Sequence, residues 1–495
     1  MITFLVGILI LVLGYFFWSK VAEKLFGPDD RKTPALQHPD GVERVPMSTK
    51  RNLLIQLLNI AGMGPIVGVV LGMKFGPIVF LLLPIGNVIG GAIHDYYVGM
   101  ISTRNNGADT TSLVQKFFGK NVGGLFLGLV IFSLLLLVTT FTNIPANFIV
   151  TLLPFGGFVL VSAVIGIFAY YIISTIFPID KIVGKIYPVF GLALLVITII
   201  LCFAYIPFAG FIPDITLTTE GIAAAFTAHP DGQPIIPMLF ITIACGILSG
   251  FHATQSPITA RTITSERSGR HVFYGMMIAE GLIAMVWAAG ASIVFSLNPA
   301  SLALTSGNAI IYEVLNLVFP TVLIVLGIVV LIILAITSGD TALRVIRTSI
   351  AGYFTIDQST MKKRILLVVP LVIVISGLLL WSNLSPTGYA ILWNYFSWFN
   401  QVIASFALLL GTVYLISKGK PYWITLIPGV GILFIVLSFI LWASPAHLAG
   451  VPFGIGMPLE ISYIVSAVLT AVIYVLAIRH GKKLRADKNF SADEE

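Results

Sequence analysis

One pattern constrains this chain more than any other: uncharged apolar runs recur along its whole length, divided by short polar connections. Most runs hold about 18 to 30 residues, enough to cross a hydrocarbon core about 30 Å thick as a helix; a membrane barrel would show alternating segments of about ten residues instead. Backbone in lipid must satisfy its own hydrogen bonds, so the predicted fold is an all-α polytopic membrane protein. Composition agrees, with 57% hydrophobic and 10% charged residues and a mean hydropathy of +1.00, where a soluble domain carries about 25% charged residues. Reading the runs against their breakers predicts thirteen spans, near 2–19, 52–72, 76–101, 123–151, 157–177, 187–208, 235–255, 272–296, 316–339, 364–382, 390–416, 422–442 and 459–479.

The basic residues test that count. Under the thirteen-span reading, 27 of the 28 lysines and arginines fall on alternate connections and the C-terminal tail, with Lys74 the exception. The positive-inside rule then places the N-terminus outside and the C-terminus in the cytoplasm. The net charge of +7 reads as anchoring on that side, with no nucleic-acid partner. The run Ile2–Trp18 has no basic residue before it and no small-residue cleavage site after it, so it is expected to be a retained span. Cys202 and Cys245 both lie in apolar runs, so no disulfide framework is predicted. No GxxxxGK[ST] or HExxH motif is present, and nothing calls for a cofactor, a metal or enzymatic chemistry.

Two spans are poor helices at their centres. "NIAGMGPIVG" (Asn59–Gly68) carries Gly62, Gly64 and Gly68 with Pro65, and "CGILSGFHATQSP" (Cys245–Pro257) carries Gly246, Ser249, Gly250, His252 and Gln255. Gly246 is eleven residues into its span, about 16 Å at a helical rise, close to the bilayer midplane. The two spans are five apart and antiparallel, so spans two to six and seven to eleven are candidate inverted repeats, each opening on an interrupted helix. Paired interruptions of this kind mark the central site of a secondary transporter. Half-helix N-termini offer N–H groups to an anionic substrate, and freed carbonyls suit a cation. The competing reading is that the glycines serve close helix packing. The predicted organisation is a first peripheral span and linker (1–51), a ten-helix core (52–416, repeats 52–208 and 235–416), and two peripheral spans with a tail (417–495).

Six motifs, "NIAGMGPIVG", "GGAIHDYYVGMISTRNNG", "CGILSGFHATQSPITARTITSE", "FYGMMIAEG", "TSGDTALRVIR" and "LWNYFSWFNQVIA", resemble in order those of the carbon-starvation protein A family, from about Thr33 to Pro428. The resemblance implies a leucine-transporter-like inverted-repeat core and uptake of peptides during nutrient limitation, with proton-driven pyruvate uptake in some relatives. In that fold, the helix carrying Thr337, Ser338, Asp340 and Thr341 faces the first broken helix and supplies a coupling-ion site.

Ionisable groups inside spans are costly and are functional candidates. Asp340 could carry a proton, with Thr337, Ser338 and Thr341 as oxygen donors for sodium; its structural alternative is an i,i+4 pair with Arg344. His94, Asp95 and Arg104 are gate or relay candidates; adjacent on a helix, His94 and Asp95 are expected to point in different directions, and the structural alternative pairs Asp95 with Arg104 or another basic group near the cytoplasmic gate. His252 lies just past the second break and Glu280 about eight residues into the eighth span, each a candidate relay or pocket residue with a helix-packing alternative. Asn143, in "TTFTNIPANF", is a candidate substrate contact, while helix–helix hydrogen bonding is as good a reading for it and for Asn400 and Gln401. The expected protein is therefore a transporter of the cell membrane, coupled to protons more readily than to sodium, taking small peptides or pyruvate-like carboxylates between "GMGP" and "CGILSG". A channel and a nutrient sensor on a transporter fold are the alternatives.

Overall fold

The computed structural model describes all residues except 154–156, 178, 180–182, 305, 386 and 495. The described residues are helical with no strand. Eleven helices are long and apolar enough to cross a membrane, twelve if one bent pair is counted as a further span.

Helix α1 (Ile2–Phe26) ends at Gly27, whose left-handed φ of 71° turns the chain away. The Ser48 hydroxyl caps α2 (Thr49–Ile60) by accepting from the Arg51 amide, and α2 gives way at Ala61 and Gly62 to α3 (Met63–Gly72). A left-handed Gly76 (φ 77°, ψ −163°) separates α3 from α4 (79–104), so the long apolar stretch Met63–Arg104 is not one straight rod. Asp109 caps the short α5 (Thr110–Phe118). Then follow α6 (Lys120–Leu152), α7 (Gly157–Ile176) and α8 (Val183–Ala204).

The stretch predicted as a seventh span is three pieces: α9 (Ile235–Thr242), α10 (Ala244–Ile247) and α11 (Gly250–Ala260). The axis bends by 72° between α9 and the stretch Ala244–Ala260, and Leu248 and Ser249 are fully extended. The remaining helices are α12 (Met276–Leu297), α13 (Gly307–Val318), α14 (Thr321–Tyr353), α15 (Met361–Leu384), α16 (Gly388–Ser417), α17 (Trp423–Trp442) and α18 (Leu459–Ala486).

Burial separates the interior from the rim. The apolar window of Glu266–Leu297 is 89% buried inside the protein and that of Met361–Leu384 only 22%. Since both are strongly apolar, the first is a central helix and the second presents its side chains to lipid. The two 33-residue helices α6 and α14 lie along one another, and α16, α17 and α18 form a second packed group.

Polar contacts sort the connections into two ends. At one end Arg104 donates to both Glu266 oxygens at 3.0 Å, and Glu43 sits between Arg344 (3.2 Å) and Arg347 (2.5 Å). Asp493, in the segment after α18, meets Lys418 (3.0 Å), Arg31 (3.5 Å) and Arg104 (3.8 Å) at this same end. We call it the basic end. At the opposite end, the Met1 ammonium pairs with Asp214 at 2.8 Å and Phe75 lies against His229.

Candidate functional site

The two interrupted stretches meet. Asn59, Gly62, Gly64 and Pro65 from the first break, and Cys245, Ser249 and His252 from the second, wall a small cavity among buried side chains; Phe141 (α6), Ser338 (α14) and Phe396 (α16) complete it. Its volume is about 10 Å³, room for about one water. Of the residues predicted to contact substrate, Gly62, Gly64, Pro65, Ser249 and His252 are at this wall. Gly246 has its carbonyl taken by Asn87, whose Nδ2 also donates to Met277 O. Gly250 backs directly against the Asn400 carbonyl oxygen, which stands where a Cβ would be. Gln255 is fully buried with both amide atoms unpartnered, outside the wall.

Interrupting a buried helix strands polar groups that must find partners. At the second break Asn400 supplies them: its Oδ1 accepts from the Phe251 amide at 2.7 Å, capping α11, and its Nδ2 donates to Ser249 Oγ at 3.0 Å. The packing reading of the glycines also holds in part. A Cβ on Gly68 would stand 2.5 Å from the Thr242 carbonyl oxygen, and one on Gly72 against Ile243, so α3 lies backbone to backbone on the second break.

Both ways out of the cavity are shut. Toward the basic end, Thr259 Oγ1 donates to Gln56 Oε1 at 2.8 Å and Thr262 Oγ1 to Asn52 Oδ1 at 2.6 Å, sealing α2 to α11. Glu43 adds a clamp beyond them; burial works against its carboxylate, but Arg344, Arg347 and Arg261 hold it down at about 2. Toward the opposite end, the Phe141 and Phe396 rings meet edge to face at 6.0 Å, with Trp393 and Tyr389 stacked behind. Outside this plug is a polar vestibule of about 580 Å³. Asn143 lines the vestibule, not the cavity, as do Asn147, Asn308 and Asn383; among the described residues Glu313 is the one carboxylate there, and no lysine or arginine lines it.

The ionisable candidates fall into two buried groups. Asp340 is fully buried but does not pair with Arg344. Ser174 Oγ (2.6 Å) and Tyr187 Oη (2.8 Å) donate to its Oδ2 and Thr175 Oγ1 to its Oδ1 (3.4 Å), while Arg344 reaches Glu43 and the Ser174 carbonyl. Thr341 donates to Asn59 at the first break, and Thr337 and Ser338 donate back to Leu334 O.

The second group corrects two expectations. Asp95 does not pair with Arg104, and His94 and Asp95 do meet, Nδ1 to Oδ1 at 2.8 Å. Nine residues along a helix is about 13.5 Å, beyond the reach of a carboxylate and a guanidinium on one face, and Glu266 from another element claims Arg104. His252 stands 3.6 Å from Asp95 and 3.7 Å from Glu280, so α4, α11 and α12 bring four titratable groups together.

The match to known proteins fits this arrangement. The model of the family described as carbon starvation protein CstA matches residues 1–227, 212–319 and 288–439. The chain belongs to that family. An uncharacterized membrane protein of Haemophilus influenzae is 39% identical over 61% of this chain and 93% of its own. The pyruvate/proton symporter BtsT of Escherichia coli is 30% identical over 60% of this chain, which spans half of BtsT. The peptide transporter CstA of Campylobacter jejuni is 25% identical over 86% of this chain and 78% of its own. Among solved structures, a manganese transporter of Eremococcus coleocola superposes with a TM-score of 0.57 at 11% identity, covering 90% of this chain and 99% of that one. A nucleobase-cation-symport-1 family transporter gives 0.55 at 14%, covering 92% and 97%. The solved structures share this chain's helical fold, and the named CstA-family relatives are membrane transporters. The signal for Asn59 was visible as a polar residue beside the first break, and that for Asn400 as an amide inside the apolar eleventh span; Glu43, Glu266, Ser174 and Tyr187 carried none, because their partners lie far away in sequence.

Proposed function

We propose that this protein is a secondary active transporter of the cell membrane that takes up short peptides by alternating access, with substrate held in the cavity between the two breaks. The observation that carries this reading is that small cavity, walled by both interrupted helices and shut on both sides. At about 10 Å³ it must enlarge to admit any solute, so a cycle of opening and closing is built into the site. On this reading Gly76 separates two spans that a length criterion joins, which restores thirteen, with N-terminus outside and the basic end in the cytoplasm. Spans two to six and seven to eleven are then inverted repeats, and the vestibule is the outer mouth.

The N-terminus of α3 opens at the first break with no side-chain cap and suits a carboxylate, whereas that of α11 is capped by Asn400. The vestibule supplies the other half of a zwitterion's recognition. Its lone Glu313 among amides favours an ammonium, so peptides fit this entry better than pyruvate-like carboxylates. Protons are the favoured coupling ion. Sodium is the second reading, supported by the hydroxyls of Thr337, Ser338 and Thr341 beside the first break.

The test is uptake into proteoliposomes of labelled dialanine and labelled pyruvate under an imposed proton or sodium gradient. Gradient-driven accumulation of dialanine is expected. Dissipative flux that no gradient can drive uphill would identify a channel and sink the proposal, and an absence of flux for both solutes would favour a sensor.

A further inference from the structure

The cluster around His252 forms a chain: His94 to Asp95 at 2.8 Å, Asp95 to His252 at 3.6 Å, His252 to Glu280 at 3.7 Å. All four side chains are at most 1% exposed. His94 Nε2, Asp95 Oδ2, His252 Nδ1 and both Glu280 oxygens have no hydrogen-bond partner, although orphaned buried polar atoms are rare and costly. α11 packs against α2, α4, α5, α14 and α16; the titratable groups facing His252 are Asp95 from α4, with His94 behind it, and Glu280 from α12, while Asn59 (α2), the Cys245 thiol and Ser338 (α14) share the cavity wall with it. Among the described residues no lysine or arginine lies within 4 Å of either carboxylate.

Charge counting fixes what such a cluster must hold. With neutral imidazoles and ionised carboxylates it would bury two uncompensated negative charges, an expensive state away from water. Two protons bring it to neutrality and a third makes it cationic. The spacings of 3.6 and 3.7 Å are one small shift from hydrogen bonds, so a proton has a short path along the chain. Only His252 of the four is on the cavity wall.

We infer that the coupling proton is carried by this chain, with His252 presenting it to the cavity between the acceptors Asp95 and Glu280, and that Asp340 anchors α14 to α7 and α8. The inference rests on the transporter reading and deepens it. A proton on His252 is held between Asp95 and Glu280 and adds positive charge at the wall, which draws the substrate carboxylate; by linkage, bound substrate strengthens proton binding by the same free energy. Proton and substrate therefore travel together. Asp340 is held by hydroxyls of Ser174, Thr175 and Tyr187 on α7 and α8, the last shared with the Thr337 carbonyl, and is not itself on the cavity wall.

The experiment compares wild type with His252→Gln, Glu280→Gln and Asp340→Asn in proteoliposomes, using labelled dialanine and labelled pyruvate as probes. Counterflow, which needs no net proton movement, is measured beside accumulation driven by a pH gradient. Wild type should show both, with up to about tenfold accumulation per pH unit for each coupled proton. Glu280→Gln, which is off the cavity wall, should keep counterflow while its driven accumulation falls to unity; His252→Gln should lose driven accumulation and exchange substrate more weakly; and Asp340→Asn should keep both. Driven accumulation surviving in His252→Gln and Glu280→Gln, or lost in Asp340→Asn alone, overturns the inference. Should a variant not fold, wild type alone still decides: adding dialanine to the detergent-solubilised protein in weak buffer should draw protons from solution, and their release, or no change, overturns it. Wild-type counterflow without any proton drive overturns the inference but leaves the transporter standing. No counterflow of either solute sinks the transporter reading itself.

Discussion

Glu43 shows how one side chain can hold a gate shut at any physiological pH. Its carboxylate is held at about 2 by Arg344, Arg347 and Arg261, below the ordinary value. A depressed carboxylate stabilises the closed arrangement above its ordinary range and loses that contribution only as pH falls through the depressed value. Between pH 5 and 8 the clamp therefore does not titrate, and any pH dependence of transport in that window arises elsewhere. Removing one partner of a nearly buried charge pair costs about 3 kcal/mol, a shift of about a hundredfold in the closed-to-open ratio. Glu43→Gln should expose Cys245 to an alkylating reagent applied at the basic end, equally at pH 5.5 and pH 7.5. Labelling measured by mass shift in a Cys202→Ser background, where Cys245 is the sole cysteine, checks it; a strong difference between the two pH values would show that another group works the gate. Gly246 gives a contrasting case. A Cβ there would be 3.6 Å from Ala284, ordinary contact, whereas one at Gly68 would be 2.5 Å from a backbone oxygen. Gly246→Ala should melt within a degree or two of wild type, while Gly68→Ala should lose about 1–3 kcal/mol and melt clearly lower.

At the scale of elements, the aromatic plug of α6 and α16 is the thinner of the two closures. It consists of one edge-to-face ring pair with two rings behind it, and among the described residues no ion pair backs it. Phe396→Ala should admit a membrane-impermeant maleimide to Cys245 from the vestibule side, faster by about tenfold for each 1.4 kcal/mol of closure removed. Unchanged labelling would mean that some other element shuts the vestibule off from the cavity. The breaks in α2–α3 and α10–α11 were legible in the sequence because proline and glycine weaken a helix locally, wherever it packs. The positions of Gly62, Gly64, Pro65, Ser249 and His252 at the cavity came from that local signal. What the sequence could not show were meetings between elements. His94 and Asp95 looked divergent on a helical wheel, yet the imidazole reaches back to the carboxylate. Asp95 and Arg104 looked like partners on one helix, yet Glu266, 162 residues further along the chain, took the arginine. Asp340 and Arg344 had ideal i,i+4 spacing, and three hydroxyls with Glu43 claimed them separately.

For the molecule as a whole, the two closures must not open together, or the proposed gradient would collapse. That exclusion is a measurable property. Cys245 labelling from the vestibule side should rise and labelling from the basic end should fall under conditions that favour outward opening, and a bound dialanine should suppress both. Simultaneous gains on both sides would describe a pore. The seam between α3 and the second break has a further consequence, for genetics. A methyl at Gly62 collides with the Ser338 hydroxyl 2.6 Å away, a side chain that Ser338→Ala removes, so selection for regained function from Gly62→Ala should return changes at Ser338. At Gly68 and Gly91 the obstacle is a carbonyl oxygen, of Thr242 and Ile247 respectively. Every residue at positions 242 and 247 carries the same oxygen, so those two lesions should yield only true revertants: the main chain offers no allele to select.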